Sequence, residues 1–121
     1  LLLMLAGAAG TLARFGLVLA VGRTVGAAFP YGTFAVNALG CFLFGIVWAV
    51  TENRVALSPQ VRLVVLTGFM GAFTTFSTFA FESADLLAQG RLGAVAANVV
   101  GQNVVGIALV MAGLALGRLL P

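Results

Sequence analysis

Four long apolar runs fill almost the whole chain, at about residues 2–21, 31–50, 61–89 and 92–116. Polar breaks separate them: Arg23 to Pro30, then Thr51-Glu52-Asn53-Arg54, then Gln89-Gly90-Arg91. A helix needs about 20 apolar residues to cross a bilayer. The pattern predicts an all-α integral membrane protein with four transmembrane helices, a single domain over residues 1–121. The third run exceeds what a straight span requires. It opens on Ser58-Pro59, an N-cap residue followed by a first-turn proline, and its length predicts a helix broken in mid-membrane.

The break is expected within Gly68-Phe69-Met70-Gly71-Ala72-Phe73-Thr74-Thr75-Phe76-Ser77-Thr78-Phe79-Ala80-Phe81-Glu82. Unpartnered backbone groups are costly in hydrocarbon, so irregular polar chain persists there only inside protein or against a wet cavity. Gly71 and the Thr74-Thr75 pair are the candidate break. Beyond it Phe76 and Phe79 fall on one helical face, and Thr75, Phe79 and Glu82 on the neighbouring one. Aromatic residues at such spacing are ordinarily packing; a run of hydroxyls beside them points to a permeation path.

The other runs carry stripes of small and polar residues. Gly7, Gly10 and Arg14 share a face of the first, where an arginine must face protein, water or a counter-charge, or else snorkel to the interface. Asn37, Gly40, Cys41, Phe44, Gly45 and Trp48 form one stripe of the second. Asn37 needs a hydrogen-bond partner there, and a structural bond between helices would suffice. The fourth run has Asn103, Gly106, Val110, Gly113 and Gly117 on one face, with Asn98 and Gln102 beside them. Small residues at these intervals let helix backbones pack closely.

Composition narrows the function. The chain is 62% hydrophobic and 7% charged, with 6 basic residues, 3 acidic ones and no histidine. So few charges, all arginine on the basic side, mark membrane edges and leave no nucleic-acid-binding surface. Cys41 stands alone in an apolar run, which implies neither disulfide nor metal cluster. No elbow serine, phosphate loop or base accompanies Glu82 and Asp85, so an enzyme is not expected; the two acids should meet nearby arginines or lie at the membrane surface. The apolar start reads as a first span rather than a signal peptide, with residues expected ahead of Leu1. Four spans would place Arg54, Arg62 and Arg118 on one side and Arg23 and Arg91 on the other. That balance gives almost no orientation signal, so the chain is expected to insert both ways and pair head to tail.

Gly71-x-x-Thr74-Thr75-Phe76-Ser77-Thr78-Phe79, followed by the acid Glu82, resembles the signature of the Fluc (CrcB) fluoride channel family. Gly7-Ala8-Ala9-Gly10-Thr11-Leu12-Ala13-Arg14-Phe15 is similar to that family's first-span motif, and Gly32-Thr33-Phe34-Ala35-Val36-Asn37-Ala38-Leu39-Gly40 to its second. The resemblance implies a passive, highly selective fluoride channel in the inner or plasma membrane, which exports fluoride from the cytoplasm and confers fluoride resistance. It implies an antiparallel, dual-topology homodimer with two pores and no other protein partner. Phe76 and Phe79 would line the pores, Asn37 would supply an amide, and Ser77 and Thr78 a polar track. Carbonyls of Gly71 and Thr74 would hold a structural sodium ion on the dimer axis, and Arg14 would lie near a pore mouth. Thr75 and Glu82 are further candidates without a set role. The fourth span departs from the family's hydroxyl-rich pattern, with Asn98, Gln102 and Asn103 instead. The rival is a small dual-topology multidrug exporter, but that chemistry needs a membrane-embedded acid in the first span, where this chain has only Arg14.

Overall fold

The computed structural model describes residues 1–52 and 58–120; Asn53 and Arg54, and with them part of the expected second loop, lie outside the described residues. Helix α1 covers Leu2–Val25 and α2 covers Tyr31–Glu52. The third span, Pro59–Ala88, is two half-helices: α3, residues 59–73, and α4, Phe76–Ala88. Helix α5 covers Leu92–Leu119. These make 4 spans long and apolar enough to cross a membrane, so the chain is a multi-pass membrane protein.

Three helices outrun their apolar segments: α1 continues to Val25, α2 to Glu52 and α5 to Leu119. The charged residue beyond each apolar run (Arg23, Glu52, Arg118) marks where hydrocarbon ends, whereas the helix continues until its carbonyls are capped. Helix α1 stops at Gly26, whose φ of 77° suits glycine, and Arg23 lies in its last turn, favourably placed against the negative end of the helix dipole. Helix α3 starts as the sequence predicts, with Ser58 Oγ accepting the Val61 amide at 3.4 Å and Pro59 in the first turn.

The break falls on the expected Thr74-Thr75 pair and does not include Gly71. Gly71 keeps helical angles (φ −63°, ψ −32°) and belongs to α3. The chain leaves the helix at Thr74 (φ −82°, ψ 159°) and Thr75 (φ −148°, ψ 116°). Both conformations are extended, which β-branched residues adopt readily, so glycine's freedom is not required. Ahead of the break, Val64–Met70 is wound as a π-helix, a wider form that favours functional sites and has no signature in the sequence pattern.

Helices α2 and α5 are pressed together at the backbone. A Cβ on Gly45 would collide with the Val110 carbonyl, and one on Gly113 with the Phe42 carbonyl. In lipid no hydrophobic effect holds helices together, so contact of this kind supplies the van der Waals attraction directly. The other buried cluster, Val36, Leu66, Met70 and Phe73, joins α2 to α3, with Leu17 and Val18 of α1 against it. The π-helical segment is thereby fixed between α1 and α2, and the break hangs from its end.

Replacing Gly113 with leucine drives a side chain into backbone that cannot rotate away. The expected loss is at least about 1–3 kcal/mol, the usual cost of overpacking, seen as a lower melting point in detergent by fluorescence-detected size exclusion. Gly93→Leu, where nothing lies within 4 Å, should leave the melting point nearly unchanged.

Candidate functional site at the helix break

Every polar group around the break has to be accounted for, because there is no water in hydrocarbon to satisfy it. The Thr74 amide and hydroxyl both donate to the Met70 carbonyl, each at 3.1 Å. The Thr74 carbonyl faces Arg14 Nη1 at 3.5 Å. Arg14, near the middle of α1, therefore points at the break instead of snorkelling to an interface. The Thr74 methyl lies against Gly40, where any Cβ would collide with it.

Thr75 is held at two points by one side chain. Its amide donates to Asn37 Oδ1 at 2.8 Å, and its carbonyl accepts from Asn37 Nδ2 at 3.1 Å. The Thr75 hydroxyl caps α4, accepting the Thr78 amide at 3.3 Å and donating to Thr78 Oγ1 at 2.9 Å. The helix offers no carbonyl to the first-turn amides of Phe76 and Ser77. An α-helical N-terminus thus opens in the middle of the span, carrying the positive end of its dipole.

From Asn37 a chain of amides runs across the bundle. Asn37 Nδ2 also donates to Gln102 Oε1 at 2.8 Å, and Gln102 Nε2 donates to Asn98 Oδ1 at 2.9 Å. Asn98 Nδ2 donates to Ser83 Oγ at 3.0 Å, whose hydroxyl donates to the Phe79 carbonyl at 2.7 Å. Asn98 is 0% exposed. Helix α5 is therefore tied to α2 and α4 by polar groups as well as by packing. Asn103 takes no part: its amide turns back onto the Val99 carbonyl at 2.7 Å, and the residue is exposed.

Beside this chain lies a cavity of about 300 Å³, lined in part by Asn37, Cys41, Thr75, Phe76, Phe79 and Gln102. No lining residue is charged. The Phe76 and Phe79 rings touch, with centroids 5.5 Å apart and planes at 47°. Phe79 is 9% exposed, whereas Phe76 is 78% exposed and stands at the rim. Ser77 and Thr78 do not line this cavity; they lie on the exposed side of α4.

Glu82 sits on the buried face with Thr75 and Phe79, as the spacing predicts, but its partner is not an arginine. Its Oε1 accepts the Thr33 hydroxyl at 2.8 Å, and its Oε2 is buried without a hydrogen bond among the described residues. Asp85 accepts from Gln89 at 2.7 Å. Neither acid is paired with an arginine among the described residues; Asp85 follows the other expected outcome, lying exposed near the end of α4, while Glu82 takes a neutral partner. Thr33 and Ser83 were not singled out by sequence reasoning; Thr33 lay within the Gly32–Gly40 motif, while Ser83 had no signal beyond being a hydroxyl one turn after Phe79.

Comparison with known proteins gives the family. The family described as "CrcB-like protein, Camphor Resistance (CrcB)" matches residues 1–114. A fluoride-specific ion channel FluC of Nitratidesulfovibrio vulgaris (strain Miyazaki F) is 57% identical over 118 residues, 98% of this chain and 95% of that one. The protein of the same name from Nitrosococcus oceani is 48% identical over 116 residues, 96% of this chain and 93% of that one. A further FluC, from Chloroflexus aurantiacus, is 42% identical over 118 residues, 98% of this chain and 94% of that one. At this likeness, over nearly the whole length, the chain belongs to the CrcB family.

Proposed function

We propose that this chain forms a passive, fluoride-selective channel that lets the ion leave the cytoplasm across the inner or plasma membrane. The observation that carries the reading is the N-terminus of α4, which opens in mid-membrane beside an uncharged cavity walled by Phe76 and Phe79. A helix N-terminus favours an anion. A phenyl ring is positive at its edge, so the ring pair can meet an anion with its hydrogens while keeping the cavity poor in water. No carboxylate lies on the lining to repel it. The relatives named as fluoride-specific channels supply the identity of the ion.

The working unit is an antiparallel homodimer with two pores. Phe76, Ser77, Thr78 and Asn103 are exposed on one chain, and three of these are polar groups at membrane depth, where lipid is a poor neighbour. A second copy covering them would complete each path with rings and hydroxyls from both subunits. The nearly even arginine distribution supports insertion in both orientations.

A sodium ion on the dimer axis belongs to the same proposal. The Thr75 amide, which would ordinarily reach back to the Gly71 carbonyl, is engaged by Asn37, so Gly71 is left with an unclaimed acceptor on an exposed face. The Thr74 carbonyl meets only the distant Arg14 guanidinium and keeps a free lone pair. Neutral carbonyl oxygens suit a hard cation. Two subunits would provide four such oxygens, and the bound ion would hold the two broken helices together.

Three outcomes are expected. Fluoride efflux from liposomes should fall by about tenfold or more in Phe76→Ile and Phe79→Ile, which keep bulk but remove the ring edge; flux equal to the parent in both would refute the path. Reporters fused to the C-terminus should be active on both sides of the membrane, and a single-sided signal would exclude dual topology. Exchanging sodium for N-methylglucamine should lower the melting point of the purified dimer; indifference to sodium would remove the ion from the proposal.

A further inference from the structure

We infer that Gln102 is itself a ligand of the permeating anion, and that its carbonyl oxygen keeps the anion's place on Asn37 until the ion arrives. This rests on reading the cavity as a fluoride path. It follows from counting donors. Asn37 has two amide hydrogens, and both are engaged, one by the Thr75 carbonyl and one by Gln102 Oε1. As it stands Asn37 has nothing left to give an anion. Gln102 does: one hydrogen of Nε2 goes to Asn98, and the other has no acceptor among the described residues. Gln102 lines the cavity, and an unmatched N–H at this depth is costly unless something in the cavity accepts it.

The orientation of every amide in the chain is fixed by its ends. The Thr75 backbone amide can only donate, so Asn37 must turn its oxygen there and its nitrogen to Gln102. Gln102 must then receive with oxygen and donate with nitrogen to Asn98, which donates to Ser83. The far end closes on the Phe79 carbonyl, which can only accept. No member can flip alone without setting donor against donor. Asn98, fully buried, is thus a positioning residue that aims Gln102 at Asn37.

An anion entering the cavity accepts the free Gln102 N–H, then displaces Gln102 Oε1 from Asn37 and takes that N–H too. What drives the exchange is that a hydrogen bond to a charged acceptor is roughly twice as strong as the neutral one it replaces; against it stand the partner that Gln102 Oε1 loses and the water the ion sheds. The seat is sized for an acceptor the size of oxygen, 2.8 Å from the Asn37 nitrogen. Fluoride is of that size; chloride is larger and would hold Asn37 and Gln102 further apart than this contact does.

The test uses the ¹⁵N-labelled protein as a purified channel in lipid nanodiscs, titrated with sodium fluoride or sodium chloride, with parallel liposome efflux. Side-chain amide resonances of Gln102 and Asn37 should move with fluoride and stay still with chloride, while Gln60 and Gln89 do not respond. Gln102→Met, which keeps the length and removes both functions, identifies the resonance and should cut fluoride efflux by about tenfold or more. A parent protein that conducts fluoride while its Gln102 resonance stays fixed overturns this inference and leaves the channel reading intact. A parent protein that conducts no fluoride overturns both. Should Gln102→Met fail to assemble, Gln102→Glu, which accepts from Asn37 but cannot donate, serves for identification, and the parent titration still decides.

Discussion

The two hydrogen bonds between Asn37 and the backbone of Thr75 are the constraint from which the rest of the site follows. A continuous helix would satisfy the Thr75 amide and carbonyl within itself. Breaking it in hydrocarbon leaves each group to find a partner or cost several kcal/mol. One carboxamide matches both, since it offers an acceptor and a donor on adjacent atoms. Nothing local forces the break: residues 59–88 contain proline only at Pro59, and Gly71 stays helical. What competes with the helix is tertiary. Asn37 claims Thr75, Arg14 approaches the Thr74 carbonyl, and Gly40 leaves a slot for the Thr74 methyl.

Once the helix is broken, its ends acquire opposite characters. The end of α3 presents carbonyls and the start of α4 presents amides, within two residues of each other. The carbonyl end attracts positive charge, and Arg14 is already there. A guanidinium in mid-span costs about 2.5–3.5 kcal/mol on insertion scales. A carbonyl freed from its helix is one of the few places where that cost is partly recovered. The amide end is left for an anion. A single backbone interruption therefore puts carbonyls on one side and amides on the other, with no acid among the residues lining the cavity.

The four spans were legible because burying backbone in lipid demands long apolar helices, and the sequence has room for no other arrangement. The broken third span was legible from its length and its hydroxyl-rich middle. The Thr74-Thr75 pair was legible as a candidate for the break, but the sequence did not separate it from Gly71, the ordinary suspect, and here the two threonines in extended conformation carry it. The π-helical turn at Val64–Met70 had no sequence signal, since its residues are those of any apolar helix. Asn98 and Gln102 were visible as a polar pair on one helical face, but their link to Asn37 crosses 65 residues and depends on helix rotation. Ser77 and Thr78 sit in the same motif as the rings yet face outward, because α4 can turn only one face to Asn37 and uses Thr75 and Phe79 for it.

Selectivity in such a site cannot come from net charge, because the cavity lining has none. Positive potential alone would admit any anion and hold it according to charge. What distinguishes a small, tightly hydrated ion is that its water must be replaced by donors at short range, and the number of donors is set by how many the protein has not already engaged. Around this cavity nearly every N–H is engaged: Thr75 and Asn37 with each other, Thr78 with its cap, Asn98 with Ser83, Asn103 with its own helix. The exceptions are the first-turn amides of α4, one hydrogen of Gln102 and one of Asn103, supplemented by ring edges. A lining this sparing of donors cannot dissolve ions in general. On the proposed reading it would compensate only an ion small enough to draw the few donors in at once, and that restriction would come from the same hydrogen-bond closure that gives the broken helix its partners.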